Sequence, residues 1–378
     1  MLNIEQLSYW ERSRYFEGID FLIIGAGIVG YSAALKLRSA HPTAKIVIME
    51  QGYLPTGAST KNAGFSCFGS ASELLSDLET MPEDTVWSTV EKRWKGLQRL
   101  KEIIGDDLRQ EVHGSWDLFM PAEKELESKV CSQMSYLNAK IQEITGEDHV
   151  YSLDTAVSGK FGFEGISSSC YNRLEGQIDT GSMMQRFHQK AIEANIMVLF
   201  GISVVAMQSA LYNVQMQTSV GFLTAGDVLI CTNGFARQFL PQHDVQPARA
   251  QVLVTTPIDD LKVKGTFHYQ SGYYYFRNIN DRILIGGGRN LNFEGETTTT
   301  FANTAQITDA LKEMLSTIVL PNTEFSIAYE WSGIMGVGKT KAPIVDRIDQ
   351  HIAVGVRMGG MGVAIGSLVG EELAGLFA

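Results

Sequence analysis

Six residues near the amino terminus, Gly25-Ala26-Gly27-Ile28-Val29-Gly30, set three glycines at the spacing GxGxxG. At such a spacing the first glycine turns the chain tightly off a strand. The second lets the backbone approach a pyrophosphate, and the third lets a helix pack close to the strand. The helix then presents free N–H groups and the positive end of its dipole to phosphate. Further on stands Glu50, an acid able to accept hydrogen bonds from both ribose hydroxyls and to repel the 2′-phosphate of NADP. The elements needed to hold these residues are legible around them. Ile19 to Ile24 is an unalternating apolar run suited to a buried parallel strand. A helical stretch from the glycines to about Ser39 is broken by His41-Pro42, and Lys45 to Met49 is a second strand ending at Glu50. Strand, glycine turn, helix and strand make a βαβ unit that binds a dinucleotide. On this motif alone, FAD and NAD remain open.

A second motif competes. Gly333-Ile334-Met335-Gly336-Val337-Gly338-Lys339-Thr340 satisfies GxxxxGK[ST], the phosphate loop of P-loop NTPases. That loop has to open a long helix, yet Lys341-Ala342-Pro343 follows at once, and proline at that depth costs a helix about 3 kcal/mol. Only 38 residues remain after Thr340, too few for the rest of such a sheet and its magnesium-binding acid. The segment therefore reads as a glycine-rich loop following a strand, at the edge of a ligand pocket. An NTPase using Lys339 stays as the alternative.

Composition narrows the classes. The 378 residues carry a net charge of −11, which argues against binding nucleic acid or anionic lipid, since the mean field repels phosphate. The 37 glycines beside 9 prolines imply many close backbone approaches. Cys67, Cys131, Cys170 and Cys231 are spaced by 64, 39 and 61 residues, with no zinc pattern, so no metal site is expected and the thiols read as reduced. The amino terminus does not resemble a signal peptide, and the longest uncharged apolar stretch, 21–35, is too short to span a bilayer. A cytoplasmic protein without a transmembrane segment is expected.

Three further segments bear on the cofactor: Gly57-Ala58-Ser59-Thr60-Lys61-Asn62-Ala63-Gly64-Phe65, Val228 to Phe235 around Thr232-Asn233-Gly234, and Arg357 to Gly366 leading into the last helix. An NAD domain has no use for a glycine loop returning at the carboxyl terminus. A flavin does, because its ring needs close backbone contact and a helix N-terminus beside N1–C2=O. With these motifs in this order, the chain from about residue 18 onward resembles the FAD-dependent amine and amino-acid oxidoreductases of the D-amino-acid oxidase type. Through Trp331-Ser332-Gly333 and Tyr274-Tyr275-Phe276-Arg277…Ile285-Gly286-Gly287 it is most similar to the γ-glutamylputrescine-oxidase-like branch.

The resemblance implies an α/β fold: a Rossmann-like FAD-binding domain (18–79, 166–246 and 326–378) interleaved with an α+β substrate domain on an antiparallel sheet (80–165 and 247–325). It implies that Gly25, Gly27, Ile28 and Gly30 hold the pyrophosphate and that Glu50, with Gln51, meets the adenosine ribose. Ser59, Thr60, Asn62 and Ala63 would run beside pyrophosphate and flavin, and Val204 or Val205 would offer backbone groups to adenine. Thr232, Asn233 and Gly234 would close over the cofactor, while Gly360, Met361, Gly362 and Val363 would touch the isoalloxazine. The implied chemistry is hydride transfer from the amine-bearing carbon of a small amine or amino acid to flavin N5. The imine then hydrolyses, and O2 or another acceptor reoxidises the flavin. A noncatalytic flavin-binding protein is a further alternative, because fold does not imply function.

One departure bears on the substrate. Family members that oxidise simple amino acids often carry an arginine just after the Trp-x-Gly region, paired with the substrate carboxylate; Met335 stands there in this chain. Arg277, Lys339 or Arg357 are the candidates to replace it, and Lys61 is a candidate for a place near the flavin. His268 and the Tyr273–Tyr275 run sit on strands expected to line the substrate side. Alternation there lets either Tyr274, or Tyr273 with Tyr275, face the pocket. Cys67 is weighed for covalent flavin attachment and read as a packing residue instead. Elsewhere the pattern predicts helices over 73–104, divided at Met81-Pro82, and over 178–194 with an Asp179 or Thr180 cap. It predicts strands over 196–207, 214–220, 227–231 and 325–331, and a mixed stretch over 105–169.

Overall fold

The computed structural model describes residues 3–377. The apolar run Ile19–Ile24 is the centre of an eight-stranded sheet. It pairs in parallel with Ile46–Glu50 on one side and Gly221–Ile230 on the other. Met197–Phe200 and Ile352–Val356 extend the parallel set outward, and Ile344–Asp349 adds an antiparallel edge. Burial on both faces explains the unbroken apolar runs of the central strands. Gly27 caps the helix Ile28–Ala40, which ends at His41 as the sequence predicts. Over this helix lies Gly362–Gly375, and Glu83–Ile104 packs on that last helix in turn, both at backbone distance. A Cβ at Gly96 would lie 1.9 Å from the Ala364 carbonyl oxygen, and one at Gly370 would lie 2.4 Å from that of Val29.

A second eight-stranded sheet runs Ile327–Val337, Gln246–Thr255, Arg282–Gly287, Tyr274–Ile279, Thr266–Tyr269, Ser115–Phe119, Ser168–Asn172 and Tyr151–Asp154. Its pairings are antiparallel apart from Thr266–Tyr269 beside Ser115–Phe119. One face packs Phe267, Phe276, Ile285 and Trp116 into their own core under the helix Ala305–Met314. The chain alternates between the two sheets, which gives the interleaved α/β and α+β arrangement.

Several elements depart from the sequence reading. Ser168–Asn172 and Ile327–Val337 belong to the second sheet, and Glu83–Ile104 packs with the helices of the first, so boundaries at 80, 166 and 326 do not follow the sheets. Residues 333–337 are not a loop. Gly333 pairs with Ala250 and Gly336 with Pro247 inside one strand, so no phosphate loop can form there, and only the residues just beyond Val337 turn. The strand expected over 196–207 is two strands parted at Gly201, whose φ is +74°. The mixed stretch contains a 22-residue helix, Lys124–Thr145, which polar surface positions obscure in sequence.

The second sheet holds one buried ion pair. Arg249 Nε donates to Glu296 Oε2 at 2.8 Å and a terminal nitrogen donates to Oε1 at 2.6 Å, which ties strand Gln246–Thr255 to the segment leading to Phe301. Glu296→Ala strands a buried guanidinium and is expected to cost about 3–5 kcal/mol. The paired replacement Arg249→Met with Glu296→Leu should cost less. Chemical denaturation of both variants checks the ordering.

Candidate functional site

The site is assembled where the first sheet's strands end. Gly25, at φ +107°, turns the chain off its strand, and Gly30 returns so close that a Cβ would lie 2.0 Å from the Gly25 carbonyl oxygen. The Ile28 amide donates to Ser59 Oγ at 3.0 Å, which fastens the second loop to the helix N-terminus. Glu50 is buried at its strand's tip, with Oε2 accepting from the Ala26 amide and Oε1 from that of Gly52, both at 3.0 Å. Burial raises its carboxyl, and these amides pull in the other direction. Gln51 is exposed just past it.

The remaining loops converge on the same place. A Cβ at Gly25 would touch the Cys231 carbonyl oxygen at 3.0 Å and Thr232 at 3.7 Å. One at Gly234 would meet the Met335 carbonyl oxygen at 2.3 Å, and one at Gly333 would meet Lys61 Cβ at 3.1 Å. Asn233, itself at φ +45°, accepts through Oδ1 from the amides of Arg357 (3.1 Å) and Met358 (3.2 Å). Gly360, at φ +84°, faces Met335 Sδ, and Gly362 and Val363 open the last helix. Asn62 Oδ1 accepts from the Gly64 amide and the Thr180 hydroxyl. Its Nδ2 donates to the Ser59 carbonyl, and Thr60 Oγ1 donates to that of Gly57. Thr60 and Asn62 thus shape their turn with their side chains. Ala63 packs against Val252, Val254 and Leu284.

The free face of the second sheet meets these loops. Along Tyr274–Ile279, Tyr274 and Phe276 enter the core, so Tyr275 and Arg277 face the other way. Phe65 stands edge-on to Tyr275 at 5.5 Å and to His268 at 5.3 Å. Tyr273 lies outside the strand and is half exposed. Burial pushes the Tyr275 phenol up to about 12 and His268 down to about 4, so both are neutral at pH 7. Arg277 is buried against Gly64 and donates to the Ile178 carbonyl at 3.2 Å, while its Nε has no partner. No carboxylate among the described residues pairs with it, and burial lowers its pKa to about 10. It is neither a surface residue nor half of an ion pair. Lys61 Nζ lies over the Phe301 ring at 5.0 Å, and the Trp331 indole donates to the Lys61 carbonyl at 2.9 Å.

These residues fit FAD. A Cβ at Gly25, Gly27 or Gly30 would lie at 3.0, 2.8 or 2.0 Å from a neighbouring atom, the Thr232 hydroxyl is buried without a partner among the protein groups, and glycines line the close approaches of the other loops. A family model described as FAD dependent oxidoreductase (DAO) matches residues 20–376. The chain belongs to this family. It is an enzyme, an FAD-dependent oxidoreductase. A probable oxidoreductase, OrdL of Haemophilus influenzae (strain ATCC 51907 / DSM 11121 / KW20 / Rd), is 22% identical over 95% of this chain and 82% of its own length. The fold is similar to that of L-proline dehydrogenase from P. horikoshii (TM-score 0.74, 16% identity, 96% of this chain and 94% of that one). It is also similar to glycine oxidase from Bacillus cereus ATCC 14579 (TM-score 0.73, 19% identity, 95% and 94%). At these identities the structural likeness concerns the fold.

Two candidate residues do other work. Lys339 is exposed at the turn; its backbone amide donates to Asp244 Oδ2, and its side chain projects outward. Arg357 is held by Asp244, the Ala342 carbonyl and Thr340 Oγ1, which leaves it no role as a carboxylate clamp. The lysine that reaches inward is Lys341, two residues past the motif lysine. It meets Glu73 at 2.8 Å and Asp77 at 2.7 Å, and Arg93 also pairs with Glu73. In sequence, acids cluster on the helix Ala71–Thr80, but nothing there links them to Lys341.

Two predictions follow from this geometry. Gly30→Ala is expected to weaken FAD binding by more than about tenfold, or about 1.4 kcal/mol, because a methyl group cannot fit against Gly25. Titration of the apoprotein with FAD, followed by fluorescence quenching, measures it. Burial opposes ionisation of Glu73, yet Arg93 and Lys341 outweigh it and hold the carboxyl at about 2. A depressed acid stabilises the fold above its unfolded pKa of about 4.3 and loses that contribution as pH falls through the folded value. The stability difference between wild type and Glu73→Gln should therefore be full at neutral pH and shrink from about pH 4 towards pH 2.

Proposed function

We propose that this enzyme oxidises the C–N bond of a small amine or amino acid, giving an imine that water hydrolyses. The observation that carries the reading is the meeting of the cofactor loops with a polar face of the second sheet, at Tyr275, Arg277 and Phe65. The printed names of similar structures, glycine oxidase, L-proline dehydrogenase and iminodiacetate oxidase, support the substrate class. When bound, FAD supplies the two-electron acceptor that side chains lack. Gly25, Gly27, Ile28 and Gly30 would hold its pyrophosphate, Glu50 its ribose, and the Thr232–Gly234 and Gly360–Val363 segments its far end. The first sheet and its helices form the cofactor side, and the second sheet forms the substrate side.

The chain's contribution is positional. Phe65 and Tyr275 form an aromatic wall that suits an uncharged amine, and the neutral Tyr275 adds a hydroxyl. The unpaired Arg277 charge gives the wall a positive field that favours a substrate with an anionic group. Lys61, over Phe301, stands at the rim of the same loops. Oxygen or another carrier would accept the electrons in turn. A reducing, cytoplasmic setting is supported by four free cysteines. No helix of the described residues is long and apolar enough to cross a membrane.

Anaerobic mixing of the FAD-loaded enzyme with a panel of amines and of D- and L-amino acids tests the reading. At least one compound is expected to bleach the flavin absorption, and air is expected to restore it if oxygen is the acceptor. A flavin that stays oxidised with every compound would favour a binding protein without this chemistry. Arg277→Gln is expected to raise KM for an acidic substrate more than it lowers kcat.

A further inference from the structure

The fold gathers three residues that no spacing in the sequence connects. A Cys67 Sγ, a Glu175 carboxylate oxygen and a His268 ring nitrogen lie within 4.8 Å of one another. Two of these side chains carry a buried atom with no hydrogen-bond partner: Glu175 Oε2 and His268 Nε2. The third, Cys67 Sγ, has only long contacts, 3.9 Å to the Gly176 carbonyl and 3.8 Å to Thr266 Oγ1. Glu175 is completely buried, and its other oxygen is fixed by the amides of Phe68 (2.7 Å) and Gly69 (2.9 Å), so Oε2 is held in place. No lysine or arginine among the described residues pairs with it. A buried acid with one fully bonded oxygen, one orphan oxygen and no counter-charge is costly unless something else neutralises it.

The geometry points to a divalent metal site of the zinc class, with Cys67, Glu175 and His268 as ligands and a fourth position for water. Thiolate, imidazole and carboxylate form a mixed soft, borderline and hard donor set that suits zinc, and the thiolate and imidazole disfavour magnesium or calcium, which take oxygen ligands. The charges close: one thiolate and one carboxylate neutralise a divalent ion, and a coordinated imidazole is a neutral ligand. On binding, metal–sulfur, metal–nitrogen and metal–oxygen bonds replace bonds to water. The thiol proton, and any carboxyl proton, leave to solvent, and no electron moves. The ion would staple three segments without a covalent tie: the chain after Phe65, the short strand Gly176–Gln177 at its start, and Thr266–Tyr269 of the second sheet. That clamp stands behind Phe65 and does not depend on which substrate is oxidised.

The test uses FAD-loaded protein stripped by chelator and titrated with Co2+, then with Zn2+. Wild type is expected to take up one Co2+ per chain with intense tetrahedral bands beyond the flavin absorption, bands that Zn2+ displaces. Cys67→Ser and His268→Gln should each weaken binding by more than about a hundredfold. Cys131→Ser, which removes the exposed thiol, should bind as wild type does. Zinc K-edge spectroscopy of wild type alone gives a second readout independent of whether the variants fold. One sulfur at about 2.3 Å with nitrogen and oxygen at about 2.0–2.2 Å is expected. Uptake no greater than in Cys67→Ser, or a zinc with no sulfur neighbour, overturns the proposal.

Discussion

The structure depends on contacts between bare backbones. Gly30 against the Gly25 carbonyl, Gly234 against that of Met335 and Gly96 against that of Ala364 all lie closer than a methyl group permits. The first brings a helix N-terminus onto the end of the central strand. The second brings the edge strand of the second sheet onto a loop of the first. The third presses the Glu83–Ile104 helix onto the last helix, whose N-terminal loop is a wall of the site. In a doubly wound sheet, ligands bind where strands end and the chain reverses. Here those ends, after Ile24, Ile230 and Val356, are held together by Asn233 and by glycine. Part of the glycine content finds its use in these approaches.

Charge is distributed with equal economy. Some ions are matched within the chain, as in the buried Arg249 with Glu296 or the part-exposed Lys341 with Glu73 and Asp77. Where the second sheet faces the cofactor loops, they are not. Arg277 has no carboxylate, and Glu175 has no cation. Lys341 shows how short the distance is between the two kinds. It leaves the same turn as Lys339, yet only Lys341 points inward.

The βαβ unit and its acid were legible because a local pattern dictates them: strand, turn and helix N-terminus lie within one short stretch. The cap at Asp179, whose carboxylate accepts from the Ser182 amide, was legible for the same reason. The 333–337 segment was not. Its glycines suggested a loop, but ten residues of strand partner at 246–255 overrode that preference and kept it extended. The Lys124–Thr145 helix was hidden because most of its surface is polar and only Val130, Leu137 and Ile141 are fully buried. The Cys67, Glu175 and His268 cluster was invisible in principle, since it arises from the meeting of three distant segments.

The geometry implies that loops far apart in sequence enclose one FAD. Hydrogen exchange read by mass spectrometry, on apoprotein and on protein loaded with one FAD per chain, tests this most directly. FAD is expected to slow exchange together at 25–30, 57–65, 231–235 and 357–363. Protection confined to 25–30 and the strand ending at Glu50, with the other loops unchanged, would contradict it.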